Sequence, residues 1–174
     1  MRQLVYKAWS RVLSWVGDFQ YRAAPPKVRA CHVRRLLELV QPGDVVCRKY
    51  CWYLDAYLIP GKYSHSGVVV SDHRMVHSVS EGVTFIDPMD FIKDTDGFVL
   101  IRPSADAEMV TAAAMDMVGK PYDFMFDLLD KDAMYCHEMT LAALEAGGMK
   151  ISLSHPGRVI ADDLIACCKV VYEI

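Results

Sequence analysis

The stretch Tyr63-Ser64-His65-Ser66-Gly67-Val68-Val69-Val70-Ser71, followed after Asp72-His73 by Arg74-Met75-Val76-His77-Ser78-Val79, governs the reading of the whole chain. Two runs rich in β-branched residues, separated by a gap of hairpin length, read as paired antiparallel strands. Outward from this hairpin, Gly82 to Ile86 and Phe98 to Arg102 read as further strands, and Lys169 to Tyr172 as a last one. On the N-terminal side, Pro42-Gly43-Asp44 is a turn that launches a short strand from Val45 to Arg48. Helical spacing marks a helix beginning at Pro26 and running to about Val40, a short one at Met89 to Ile92, and another from Ala105 to Val118. Tyr135 to Ala146 reads as a helix stopped by Gly147-Gly148; Ala161 to Ile165 reads as a short helix, and Trp52 to Leu58 as one or two helical turns. The pattern predicts an α+β fold in which an antiparallel sheet packs against helices. Residues 1–41 read as a helical extension packed on the core, and residues 42–174 as the domain that carries the chemistry.

At 174 residues, 53% of them hydrophobic, the chain is long and apolar enough for one folded unit with a proper core. Nineteen basic against 22 acidic residues leave a net charge of −3, with no basic block or stripe, which argues against nucleic acid as a partner. The six cysteines do not form a disulfide pattern, and Cys47 and Cys51 have no second pair at ligand spacing, so neither a metal site nor a cofactor is expected. Free, mostly buried thiols suit a reducing compartment. Residues 1–16 carry Leu4, Val5, Ala8, Trp9, Val12, Leu13 and Val16 at helical spacing, but Lys7 and Arg11 interrupt any export-signal core. A cytoplasmic location is the expectation. The segment is a helix packed on the domain, or one that touches a membrane surface through Trp9 and Trp15.

The chemistry points to Cys136, in Met134-Tyr135-Cys136-His137-Glu138 at the start of a helix. A thiol there feels the positive end of the helix dipole, which favours the thiolate. His65, at the mouth of its strand, is the residue type needed to accept the thiol proton and return it later. These features predict an enzyme with a cysteine nucleophile. Glu138 reads as a capping partner and Asp123 as a carboxylate that fixes a loop, while His32, His73 and His155 receive no role.

Four pieces taken in order carry a family resemblance: Gly43-Asp44-Val45-Val46, Tyr63 to Val69 around His65, Lys120-Pro121-Tyr122-Asp123-Phe124, and Tyr135-Cys136-His137-Glu138. The chain resembles the circularly permuted branch of the NlpC-type, papain-like superfamily, and most closely the YaeF/YiiX-like proteins. Lecithin retinol acyltransferase is a more distant relative. The histidine strand preceding the cysteine is what marks the permuted branch. The resemblance implies a papain-like core with Cys136 as nucleophile and His65 as base. It places the third, orienting group on the next strand, where His77 stands, with Glu81 as the carboxylate alternative. The oxyanion would be held by the backbone N–H of Cys136, with Tyr63 or Tyr50 as side-chain donors. The activity implied is cleavage of an amide or peptide bond, in a peptidoglycan peptide or a protein. Hydrolysis or transfer of a lipid or thioester acyl group, and non-catalytic binding in the same cleft, are the alternatives.

Overall fold

The computed structural model describes residues 8–13, 15–16, 24–51 and 59–174. Residues 52–58, where helical turns are expected, and part of the N-terminal segment lie outside the described residues; residues 8–13 and 15–16 are helical. The elements that follow are α1 (Ala30–Leu39), β1 (Val45–Lys49), β2 (His65–Ser71), β3 (Arg74–Val79), β4 (Gly82–Ile86) and α2 (Pro88–Ile92). After these come β5 (Gly97–Arg102), α3 (Ala107–Asp116), α4 (Cys136–Ala146), α5 (Ala161–Ala166) and β6 (Lys169–Glu173).

Among the described residues six strands form one sheet in the order β4-β3-β2-β1-β5-β6, and every neighbouring pair is antiparallel. Because side chains alternate across a strand, the sheet feeds two cores. Val45, Cys47, Val68, Val76, Val99 and Ile101 pack with Val110 of α3, Met139 and Leu144 of α4, and Leu164 of α5. Val46, Val69, Met75, Phe98 and Leu100 pack on the other face with Leu36 of α1 and with Phe91 and Ile92 of α2. The architecture is α+β, with helices on both faces of an antiparallel sheet.

Two helix starts differ from the sequence expectation for identifiable reasons. α1 begins at Ala30 rather than Pro26, because the Val28 N–H is taken by the Thr95 carbonyl (3.2 Å) and its side chain is buried in the second core. There His32 gains a role: its Nδ1 accepts the Arg29 N–H at 3.0 Å. α3 begins at Ala107 because the Asp106 carboxylate caps it, accepting from Glu108 and Met109.

The Gly43-Asp44 turn locks β1 in place. Gly43 has φ +89° and lies so close to α3 that a Cβ would sit 2.8 Å from the Ala107 Cβ. Asp44, 1% exposed, takes a bidentate pair from Arg102 on β5, both bonds at 2.8 Å.

Candidate active site

Cys136 is the first residue of α4, after an extended Tyr135 (φ −84°, ψ 169°). Three short polar side chains moor this start to the sheet. Ser78 Oγ donates to the Met134 carbonyl at 2.5 Å, and Ser66 Oγ donates to the Cys136 carbonyl at 3.3 Å. Thr140 Oγ1 donates to the same carbonyl at 3.0 Å and lies 2.9 Å from Ser66 Oγ. The Tyr135 hydroxyl, bonded to the Val159 N–H at 2.8 Å, fixes the other side. With the helix so held, the Cys136 sulfur lies 3.9 Å from the carbonyl of Ser64, the residue before His65.

His65 and His77 meet directly: His65 Nε2 is 3.0 Å from His77 Nδ1. The β2–β3 register pairs Gly67 with His77, so His65 and His77 are diagonal neighbours on one face. The β1–β2 register sets Arg48 opposite His65 on that same face. Phe91 of α2 backs the group, with its ring stacked on His65 at 5.4 Å and the Arg48 guanidinium 4.3 Å from its centroid. Alternation turns Ser66 and Ser78 the opposite way, toward α4. Thiol and imidazole therefore reach their shared space from the two sides of the sheet, around the start of β2. The thiol's hydrogen-bond partner is the Ser64 carbonyl rather than an imidazole nitrogen.

Burial dominates the electrostatics of this group. The expectation that the helix start lowers the thiol pKa is overturned: desolvation pushes Cys136 up to about 11. Backbone groups of Ser66, His137 and Cys136, together with the Arg48 charge, pull the other way without prevailing. Burial and the Arg48 guanidinium hold His65 well below its ordinary value and His77 at about 4; the neighbouring His77 also lowers His65, and Glu81 partly offsets the shift at His77. Desolvation thus favours the neutral thiol and the neutral imidazoles over an ion pair.

Cys136 and His65 wall one cavity of about 460 Å³. Tyr50 and Glu81 also line it. Glu81, however, accepts from Ser80 (2.8 Å) and makes no hydrogen bond to His65. Tyr63 is corrected as an oxyanion donor: it is buried in the first core, and its hydroxyl is committed to Glu173 of β6 at 2.7 Å. Only Cys47 and Cys136 among the six cysteines are buried, so the thiols are less enclosed than their apolar neighbours suggested.

Sequence reasoning missed Arg48, Ser66, Ser78 and Phe91. Small polar residues alternating with the histidines, in His65-Ser66 and His77-Ser78, were the available signal for the two serines. Asp123 does fix its loop, accepting from Met125 (2.7 Å) and Asp127 (2.5 Å). Glu138 is 2% exposed, and neither of its carboxylate oxygens has a hydrogen-bond partner. Burial and the nearby Asp123 raise its pKa to about 7.

Among the described residues no group of three or more His, Cys, Asp or Glu could hold a metal ion. A solved structure, that of the metalloprotein YiiX from Escherichia coli O157:H7, is similar to this chain with a TM-score of 0.64 and 18% identity. The match covers 78% of this chain and 98% of that one, which gives the present sheet-and-helix arrangement a papain-like fold. No curated protein matches the chain. The family model for permuted papain-like amidase enzymes (YaeF/YiiX, C92 family) matches residues 39–156, a span that includes Cys136, His65 and His77, and the chain belongs to that family of cysteine amidases.

Proposed function

We propose that this enzyme cleaves an amide bond through a thioester acyl-enzyme, with Cys136 as nucleophile, His65 as general base and acid, and His77 as the residue that positions His65. The observation that carries this reading is the 3.0 Å contact between His65 Nε2 and His77 Nδ1 beside a cavity that Cys136 also walls. A proton on His65 Nε2, donated to the His77 lone pair, leaves Nδ1 of His65 free to accept. Nδ1 then takes the thiol proton as sulfur bonds to the substrate carbonyl carbon. Because the resting pair is neutral, that transfer accompanies attack. The backbone N–H of Cys136, an orphan donor at the helix start, is suited to the developing oxyanion. His65 next gives its proton to the leaving nitrogen as the C–N bond breaks. Water attacks the thioester, one of its protons returns through His65 to the sulfur, and the carboxylic acid departs.

A peptide in cell-wall material or in a protein is the substrate class that fits the amidase family. A second reading, an ester or thioester acyl substrate, is favoured by the aromatic and aliphatic walls at Tyr122, Phe124, Phe126 and Ile160. The test uses one acyl group presented as an amide and as a thioester, with intact-mass detection of the acyl-enzyme. The amidase reading expects an acyl adduct on the native chain, none on Cys136→Ala, and turnover of the amide. Turnover of the thioester alone would favour the second reading, and full activity in Cys136→Ala would end both.

A further inference from the structure

The N-terminal helical segment carries two faces with different destinations. Leu13 and Val16 wall the cavity that Cys136 lines, and Ser10, Leu13 and Val16 are the half-buried positions among the segment's described residues. Its other side is open: Trp9 is 47% exposed, Val12 51% and Trp15 66%. A second segment bordering the same cavity repeats this arrangement. Tyr122, Phe124 and Phe126 line the cavity, while Met125 and Leu129 in the same loop are exposed, Leu129 by 87%. Large apolar side chains therefore stand in solvent on two elements that flank one opening.

Charge differs between the two elements: the loop carries the exposed Asp127, Asp130 and Asp132 with Lys131, whereas the N-terminal segment is basic. The first 17 residues contain Arg2, Lys7 and Arg11 and no acidic residue, in a chain whose net charge is −3. A helix that exposes two indoles and an aliphatic side chain beside Arg11, in a stretch of sequence without acidic residues, matches the headgroup and upper acyl region of an anionic bilayer.

We propose that the N-terminal segment docks the enzyme on an anionic phospholipid surface through Trp9, Val12 and Trp15, with the catalytic cavity opening beside the docked face. This goes beyond the amidase reading and does not depend on it. No helix of the described residues is long and apolar enough to cross a membrane, so the contact is peripheral.

The test uses the full chain with vesicles of phosphatidylcholine alone and of phosphatidylcholine mixed with phosphatidylglycerol, read by co-sedimentation and tryptophan emission. The expected result is binding to the mixed vesicles with a blue-shifted emission, and little binding to phosphatidylcholine alone. Val12→Asp and Arg11→Glu, both at exposed positions, should each weaken binding about tenfold while circular dichroism stays unchanged. Cys136→Ala should bind like the native chain. Equal recovery of the native chain in the supernatant of both vesicle types would overturn the proposal. So would binding undiminished in both surface variants, or a concentration-dependent dimer in vesicle-free buffer that Val12→Asp dissolves. Loss of acyl transfer with docking retained would touch only the amidase reading; activity without docking would touch only this one.

Discussion

Replacing Glu138 by glutamine should change the way stability depends on pH. Glu138 sits two residues after Cys136, buried, with neither carboxylate oxygen hydrogen-bonded. Its pKa is raised from 4.5 to about 7, first by desolvation and then by the charge of Asp123, with a further contribution from Asp130; the Tyr135 backbone and Lys131 oppose the shift. An acid whose folded pKa is raised retains in the folded state a proton that the unfolded chain has already released. Stability contributed by this group is therefore present at low pH, falls as pH climbs from 4.5 to about 7, and is level above that. At about 1.4 kcal/mol per pKa unit, the full swing is about 3 kcal/mol. His77 and His137, both held near 4 by burial, work in the opposite sense over an overlapping range, because the unfolded chain takes up protons first as pH falls. Those histidines are common to both proteins and cancel in the comparison. Urea unfolding of the native chain and of Glu138→Gln, at about pH 5 and about pH 8, gives the difference directly. The variant should gain on the native chain by about 2.5 kcal/mol between the two conditions, because pH 5 already lies above the unfolded pKa. Parallel stability at both pH values would refute the claim that burial holds this carboxyl group in its protonated form.

Three further outcomes follow from the same geometry. Asp44→Ala removes both bonds from Arg102 and the acceptor of the Gln41 N–H, leaving Arg102 the Leu39 carbonyl, and should cost about 2 kcal/mol of stability, measured by denaturant unfolding. Ser78→Ala removes the bond to the Met134 carbonyl; a loss of about 1–2 kcal/mol is expected, together with a lower kcat at unchanged KM, because the start of α4 carries Cys136, the proposed nucleophile. His77→Ala should lower kcat about tenfold or more and leave the fold intact by circular dichroism, with His77→Asn, which retains an acceptor for the His65 proton, recovering part of the loss.

Much of the fold was legible because local signals agreed with the global arrangement. The hairpin gap at Asp72-His73 set the β2–β3 pairing, and that register brings His65 and His77 together as diagonal neighbours. The glycine pair after Ala146 and the apolar spacing before it located α4, and so put Cys136 at a helix start. What escaped the sequence depended on contacts between distant segments. Arg48 joins the site only through β1–β2 pairing, and Phe91 only because α2 folds over that face. Tyr63 stands two residues from His65 yet spends its hydroxyl on Glu173, 110 positions away. The thiol pKa was misjudged for a related reason. A helix start is visible in a sequence, whereas the covering atoms that desolvate Cys136 are not.

The alkylation rate of Cys136 by iodoacetamide, followed peptide by peptide in the native chain and in His65→Ala, tests the central claim most directly. The exposed Cys31 serves as internal reference. With His65 removing the thiol proton, the native rate at Cys136 should fall about 100-fold in the variant while Cys31 reacts unchanged. Equal rates at Cys136 in the two proteins would contradict the pairing of this thiol with this imidazole.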